Sequence, residues 1–325
     1  MNLKDQKSKT ENRIWHCGAH RLPLGAKTYV MAILNVTPDS FSGDGLSRGH
    51  NQSPDLSHRV LDEIVRRAEQ FIEDGADILD IGGESTRPGA QSVSAEAETR
   101  RVVPVVEMLA ARFHIPLSVD TTKSAVAQRV LDVGAHIIND ISGATADHKM
   151  LEVLARGDCG IVLMHRRGTS QSMKASESVG SGSLQSAGND DERRQHDVIA
   201  EILAFWRERV AVAQHLGISP ERIAFDAGFG FGKSVEENLE IVRRGRELSD
   251  FGFPTLSGTS RKSTIGRVLD AREGGAPVEE RLFGTAATTA LAIANGADIV
   301  RVHDVREMSQ VARMTDAIAR NFNHG

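Results

Sequence analysis

Apolar and polar positions along the chain repeat one unit: an amphipathic stretch of helical period, a glycine, and a short apolar run that stops at a polar residue. Three copies are nearly superimposable, "EDGADILDIGG", "DVGAHIINDISG" and "ANGADIVRVHD". Each puts Gly-Ala (Gly75-Ala76, Gly134-Ala135, Gly296-Ala297) at the helix exit, where glycine accepts the left-handed backbone that ends a helix. The runs after them are short and continuous, as strands of a covered parallel sheet are. "YVMAILN", "IPLSVD", "CGIVLMH", "RIAFD" and "FPTLSG" fit the same role and bring the strands to eight. Helical period runs over 55–74, 95–112, 123–133, 191–216, 235–248, 278–295 and 305–321, with a weaker stretch at 147–156. Strands alternating with helices predict an α/β protein, a single-domain (β/α)8 TIM barrel over 13–321; a doubly wound open sheet is the alternative. Before it, "RIWHCGAHRLPLGAKTYV" breaks short apolar stretches with Gly and Pro and predicts a small N-terminal hairpin.

Three stretches interrupt the rhythm. Residues 37–55 and 82–94 are long Gly/Ser/Pro-rich loops after the first and second barrel strands, of the kind used for binding and closure. Residues 167–190 are small and polar and predict a mobile insertion without chemistry, and residues 1–12 hold too little to bury and predict a disordered tail.

Composition narrows the partners. The 325 residues carry 39 basic and 44 acidic side chains, a net charge of −5, so no polyanion-binding surface is expected and nucleic acid is excluded as a partner. Cys17 and Cys159 stand far apart without a CxxC spacing, which suits a reducing compartment and neither a disulfide framework nor a zinc site. The first residues lack an apolar core and no apolar run reaches membrane-spanning length, so a cytoplasmic protein without a membrane partner is expected.

In a barrel the C-terminal strand ends share one mouth. Those ends read Asn35, Glu84-Ser85-Thr86, Asp120, Asn139-Asp140, His165, Asp226, Ser260-Arg261-Lys262, and Arg301 with His303. A helix cap competes as the role of Asp120, and a salt bridge to Asp304 or another nearby carboxylate competes for Arg301. Asp120, Asn139, Asp226 and Lys262 together suit an aminopyrimidinone edge, whose amine and ring N–H want a carboxylate and whose carbonyl wants an ammonium. Arg301 and His303, two apart on one strand face, suit phosphate oxygens, and Asn35 adds a neutral oxygen for a phosphate-bound Mg2+. No His-x-His or His-Glu-x-x-His occurs, which disfavours a metallohydrolase. Residues 227–234, "AGFGFGKS", satisfy a loose phosphate-binding P-loop pattern, which would make Lys233 a nucleotide ligand.

"ILNVTPDSFS", "IGGESTRPGA", "SVDT", "GAHIIND", "LMH", "DAGFGFGK", "SRKS" and "RVHD", in this order, resemble the dihydropteroate synthases, folate-pathway enzymes that sulfonamides inhibit. The resemblance runs from about Ile14 to about Asn321 and leaves out the tail and the 167–190 insertion. It implies a transferase that joins 4-aminobenzoate to (7,8-dihydropterin-6-yl)methyl diphosphate with Mg2+, releases diphosphate and works as a homodimer. Asp120, Asn139, Asp226 and Lys262 are then expected at the pterin, and Thr86, Arg301 and His303 at the diphosphate region. Phe41, Arg87, Pro88 and Phe231 are expected to frame aminobenzoate, with its carboxylate at Ser260 and the amides opening the following helix. Asn35 is the expected magnesium ligand and Asp44 a second, in a first loop that departs from the family pattern. Ala227 stands where the family places proline. A methyltetrahydrofolate–corrinoid methyltransferase shares the pterin residues but leaves "TPDSFS", "SRKS" and the Arg301/His303 pair unexplained; a pterin-binding homologue without activity and an ATPase are the remaining readings.

Overall fold

The computed structural model describes residues 13–37, 58–85, 92–168, 197–272 and 274–320. Strands β1 (Ile14–Cys17) and β2 (His20–Pro23) form the expected antiparallel hairpin. The predicted runs become β3 (Tyr29–Asn35), β4 (Ile78–Gly82), β5 (Leu117–Asp120), β6 (Ile137–Asp140), β7 (Gly160–Met164), β8 (Ile223–Asp226), β9 (Thr255–Ser257) and β10 (Ile299–Val302). All pair in parallel, and β10 returns to β3, closing the sheet into a barrel. Closure rules out the open doubly wound sheet and confirms the (β/α)8 reading.

Helices α1 (His58–Glu73), α2 (Ala95–Arg112), α3 (Ser124–Asp132), α4 (Met150–Ala155) and α5 (Val198–His215) follow the predicted periods. Predicted 235–248 divides into α6 (Val235–Arg243) and α7 (Gly245–Ser249). The side-chain amide of Asn295 donates to the Val242 carbonyl at 2.7 Å, and a Cβ on Gly245 would lie 3.2 Å from that of Asn295. A tertiary contact thus takes over an acceptor of the helix end. Helix α8 (Ser263–Leu269) is too short to show an apolar period in the sequence and was not expected. Helices α9 (Leu282–Ala294) and α10 (Val305–Ala319) complete the ring.

Strand alternation sorts side chains into two layers. Leu79, Ile81, Leu117, Val119, Ile161, Leu163, Val300 and Val302 face outward into the core under the helices. Tyr29, Met31, Ile78, Ile137, Val162, Ala224, Leu256 and Ile299 point into the lower barrel and meet Trp15, Cys17, Leu22 and Leu24 of the hairpin region. The hairpin therefore plugs the N-terminal end. Trp15 is fully buried and donates its indole N–H to the Arg222 carbonyl at 3.0 Å, and Arg13 pairs with Asp298 at 2.9 Å.

Candidate active site

Two residues further along the same inward faces, the apolar filling gives way to polar groups. Gly82 lies opposite Asp120 and Asp120 opposite Asn139, so β4, β5 and β6 bring their upper residues into one layer. Asp226 stands at the top of β8, Arg301 on β10 with His303 just beyond it, and Asn35 at the top of β3. Asp120, Asn139 and Asp226 are buried.

At the centre lies a contact that the strand-end inventory missed. Arg301 donates from Nε to Asp80 at 2.6 Å and from Nη2 to Asp120 at 2.9 Å, while Asn139 Nδ2 donates to Asp80 at 3.3 Å and the Ser118 hydroxyl also donates to it. Asp80 and Ser118 are fully buried in strand interiors. A carboxylate in the middle of the apolar run "ILDIG" was the available signal, because such a group stays only where it is paired. The Asp120 side chain pairs with Arg301; the Ser124 amide that opens α3 is instead capped by Asp147 at 2.8 Å. Arg301 does form a salt bridge, to Asp80 and Asp120, whereas Asp304 pairs with Arg261. Burial pushes the Asp120 carboxyl up from the usual carboxylate range, and Arg301 opposes that rise.

Lys262 reaches the mouth from the loop after β9. Its ammonium donates to the Phe229 carbonyl and sits 4.4 Å from the centre of the Phe231 ring. Burial lowers Lys262 to about 8, with the Asp226 carboxylate acting in the opposite sense, and burial likewise raises Asp226. Arg261, between Ser260 and Lys262, holds the left-handed φ of +59°. Its amide donates to Thr285 Oγ1 at 3.1 Å, its carbonyl accepts from Arg281 at 2.9 Å, and its guanidinium pairs with Asp304. These ties maintain a backbone that a non-glycine residue seldom adopts, and they aim its two neighbours at the mouth. The Ser260 hydroxyl lies 3.0 Å from His303 Nδ1 and accepts from the His303 amide at 3.2 Å, so residues expected at different substrates are coupled. The helix after Ser260 opens at Ser263.

Not every polar strand end joins the mouth. Asp140 lies on the outward parity of β6 and accepts from the Ser142 amide and hydroxyl at 2.7 and 2.6 Å. His165 packs edge-on against Phe205 of α5 and places Nε2 3.3 Å from Glu201. The P-loop reading also fails. Lys233 turns its ammonium into backbone carbonyls, and Ser234 caps α6 in a reciprocal box with Glu237. Thr86, Arg87, Pro88, Phe41 and Asp44 lie outside the described residues, as do the 1–12 tail and nearly all of 167–190.

Asn35 offers a half-buried amide oxygen, 3.3 Å from where a Gly82 Cβ would stand, so a side chain there would crowd that oxygen. No group of three or more His, Cys, Asp or Glu side chains suited to a metal occurs among the described residues. One neutral oxygen fits a magnesium ion held mostly by water and substrate phosphates, and does not fit a protein cage.

The chain matches the model of the family described as pterin binding enzyme over residues 31–303. The dihydropteroate synthase of Synechocystis sp. is 43% identical over 91% of this chain and 92% of its own length. The chain belongs to the dihydropteroate synthase family. Two solved members share its architecture. The Clostridium difficile dihydropteroate synthase, crystallised in the presence of pteroic acid, superposes with a TM-score of 0.75 at 41% identity, covering 91% of this chain and 98% of that one. The Xanthomonas albilineans dihydropteroate synthase with 4-aminobenzoic acid gives 0.77 at 36% identity, covering 94% and 98%.

Proposed function

We propose that the chain condenses 4-aminobenzoate with (7,8-dihydropterin-6-yl)methyl diphosphate to give 7,8-dihydropteroate and diphosphate. The carrying observation is that Asp120, Asn139 and Asp226, on the inward faces of the barrel top, are joined at the mouth by Lys262 from the loop after β9. In this reading the pterin amine and ring N–H donate to the carboxylates and its carbonyl accepts from Lys262. The pteroic acid and 4-aminobenzoic acid present with the two solved relatives support these substrate classes.

The bond from the pterin methylene carbon to the diphosphate oxygen breaks, its electron pair leaving with diphosphate, and the arylamine nitrogen then forms a bond to that carbon. The displaced amine proton passes to water or diphosphate, so no protein nucleophile is required. His303, steadied by Ser260, and Thr86 serve the diphosphate end. Arg301, which pairs with Asp80 and Asp120, serves the same end. Asn35, with Asp44, would hold magnesium, which when bound neutralises diphosphate charge. Phe41, Arg87, Pro88, Phe231 and Ser260 frame aminobenzoate.

A homodimer fits the apolar side chains left in water on α9 and α10, where Phe283, Leu291, Met314 and Ile318 are 84, 55, 63 and 71% exposed. A cytoplasmic location fits the two unpaired cysteines and the lack, among the described residues, of a helix long and apolar enough to cross a membrane. Dihydropteroate and diphosphate formation from the two substrates, with and without Mg2+, tests the reaction. Methyl transfer to cobalamin without diphosphate release would overturn it.

A further inference from the structure

The lysine of the apparent P-loop has a place of its own. Its half-buried side chain carries the Nζ to the carbonyls of Gly228 at 3.0 Å, His165 at 3.2 Å and Phe231 at 3.5 Å. Gly228 and Phe231 close the turn after β8, whose Phe231 amide donates to the Gly228 carbonyl at 3.1 Å; His165 directly follows β7. One ammonium thus meets three converging carbonyl oxygens from two adjacent barrel loops, an arrangement that repels itself without a cation inside.

The two loops are in backbone contact. A Cβ on Gly228, at φ +69°, would lie 1.8 Å from the His165 oxygen, and one on Gly232, at φ +67°, 2.3 Å from the Arg167 oxygen. On the far side the Arg167 guanidinium pairs with Glu201 and Glu237. Toward the mouth the Phe231 ring lies beneath Lys262, and the Gly228 amide donates to Asp226 at 2.7 Å. The carbonyl of Phe231 is therefore held from within by Lys233 while its ring faces the site.

We propose that Lys233 is a positioning residue for the second substrate, an internal cation that fixes the Gly228–Phe231 turn and so the place of Phe231. The proposal rests on the reading of Phe231 as a wall of the aminobenzoate pocket. The charged groups acting on Lys233 are Asp226, Arg167, Lys262 and Glu201, and burial dominates, lowering it to about 7. The neutral amine has two hydrogens for three acceptors, so loss of the proton frees one side of the turn.

Lys233→Met keeps the stem and removes the donors, and Lys233→Ala opens room for a small ammonium ion. With circular dichroism confirming the fold, Lys233→Met is expected to raise the aminobenzoate KM about tenfold while kcat and the pterin-diphosphate KM stay within about threefold. Added methylammonium is expected to lower the raised KM of Lys233→Ala and to leave that of the parent unchanged. An aminobenzoate KM within about twofold of the parent in folded Lys233→Met, or unfolding of both variants, overturns the proposal. A parent chain that makes no dihydropteroate defeats the reaction itself, and is recognised before any variant is compared.

Discussion

The lower and upper halves of the barrel interior are built by the same strands, on the same faces, to opposite ends. On β4, Ile78 points into the apolar plug and Asp80, two residues on, into the charged mouth; β6 repeats the change with Ile137 and Asn139, β8 with Ala224 and Asp226, and β10 with Ile299 and Arg301. One strand repeat therefore separates the part that stabilises the barrel from the part that binds. The lower half gains from removing apolar surface from water. The upper half holds carboxylates whose burial is unfavourable, offset by Arg301, Lys262 and neighbouring donors. Division of labour along the strand axis means that changes above and below should move different observables.

The largest effect is expected above. Asp226→Ala removes the carboxylate at the top of β8 that acts most strongly on Lys262, so kcat/KM should fall about a thousandfold with little change in thermal unfolding. A variant with near-parent activity would break the division. Below, Trp15→Ala empties a fully buried site in the plug and should cost about 3–5 kcal/mol in denaturant unfolding, while the KM values of the folded fraction stay as in the parent. A shifted KM would show that plug and mouth are coupled.

A smaller effect follows from Lys262. Its ammonium is the donor form, burial lowers it to about 8, and the proton is lost as pH rises through that value. The pterin-diphosphate KM should therefore rise above about pH 8, approaching tenfold per pH unit, and Lys262→Ala should lose that alkaline limb along with most activity. The smallest concerns Ala227. It follows an extended strand residue and precedes Gly228 at φ +69°, the order in which Pro-Gly turns are built. Ala227→Pro should stabilise the chain by about 0.5 kcal/mol and leave kinetics unchanged; destabilisation would show that the turn has moved away from proline geometry.

The barrel was legible because each strand is a short apolar run bounded by a glycine and a polar stop, as at Gly75 to Gly82 and Gly296 to His303. The binding residues Asp120, Asn139, Asp226 and Lys262 were legible because a polar residue that ends an apolar strand stands out. Standing at a strand end does not by itself say which face a residue takes. Asn139 and Asp140 are adjacent, yet one faces the mouth and the other the helices, and His165 follows Asp140 outward. Asp80 was missed for the complementary reason: it interrupts a strand instead of ending one, and only its neighbours across the sheet explain why a charge is tolerated there.

Local sequence by itself determined the strands, most of the helices, the hairpin, and the residue types at the strand tops, because periodicity and backbone preference act over a few residues. Closure of the barrel decided the rest. It placed Arg301 between Asp80 and Asp120, residues 221 and 181 positions away along the chain, and turned Lys233 from an apparent phosphate ligand into a clamp on carbonyls. Such pairings depend on which faces meet across a closed sheet, and a low-dielectric interior strengthens them.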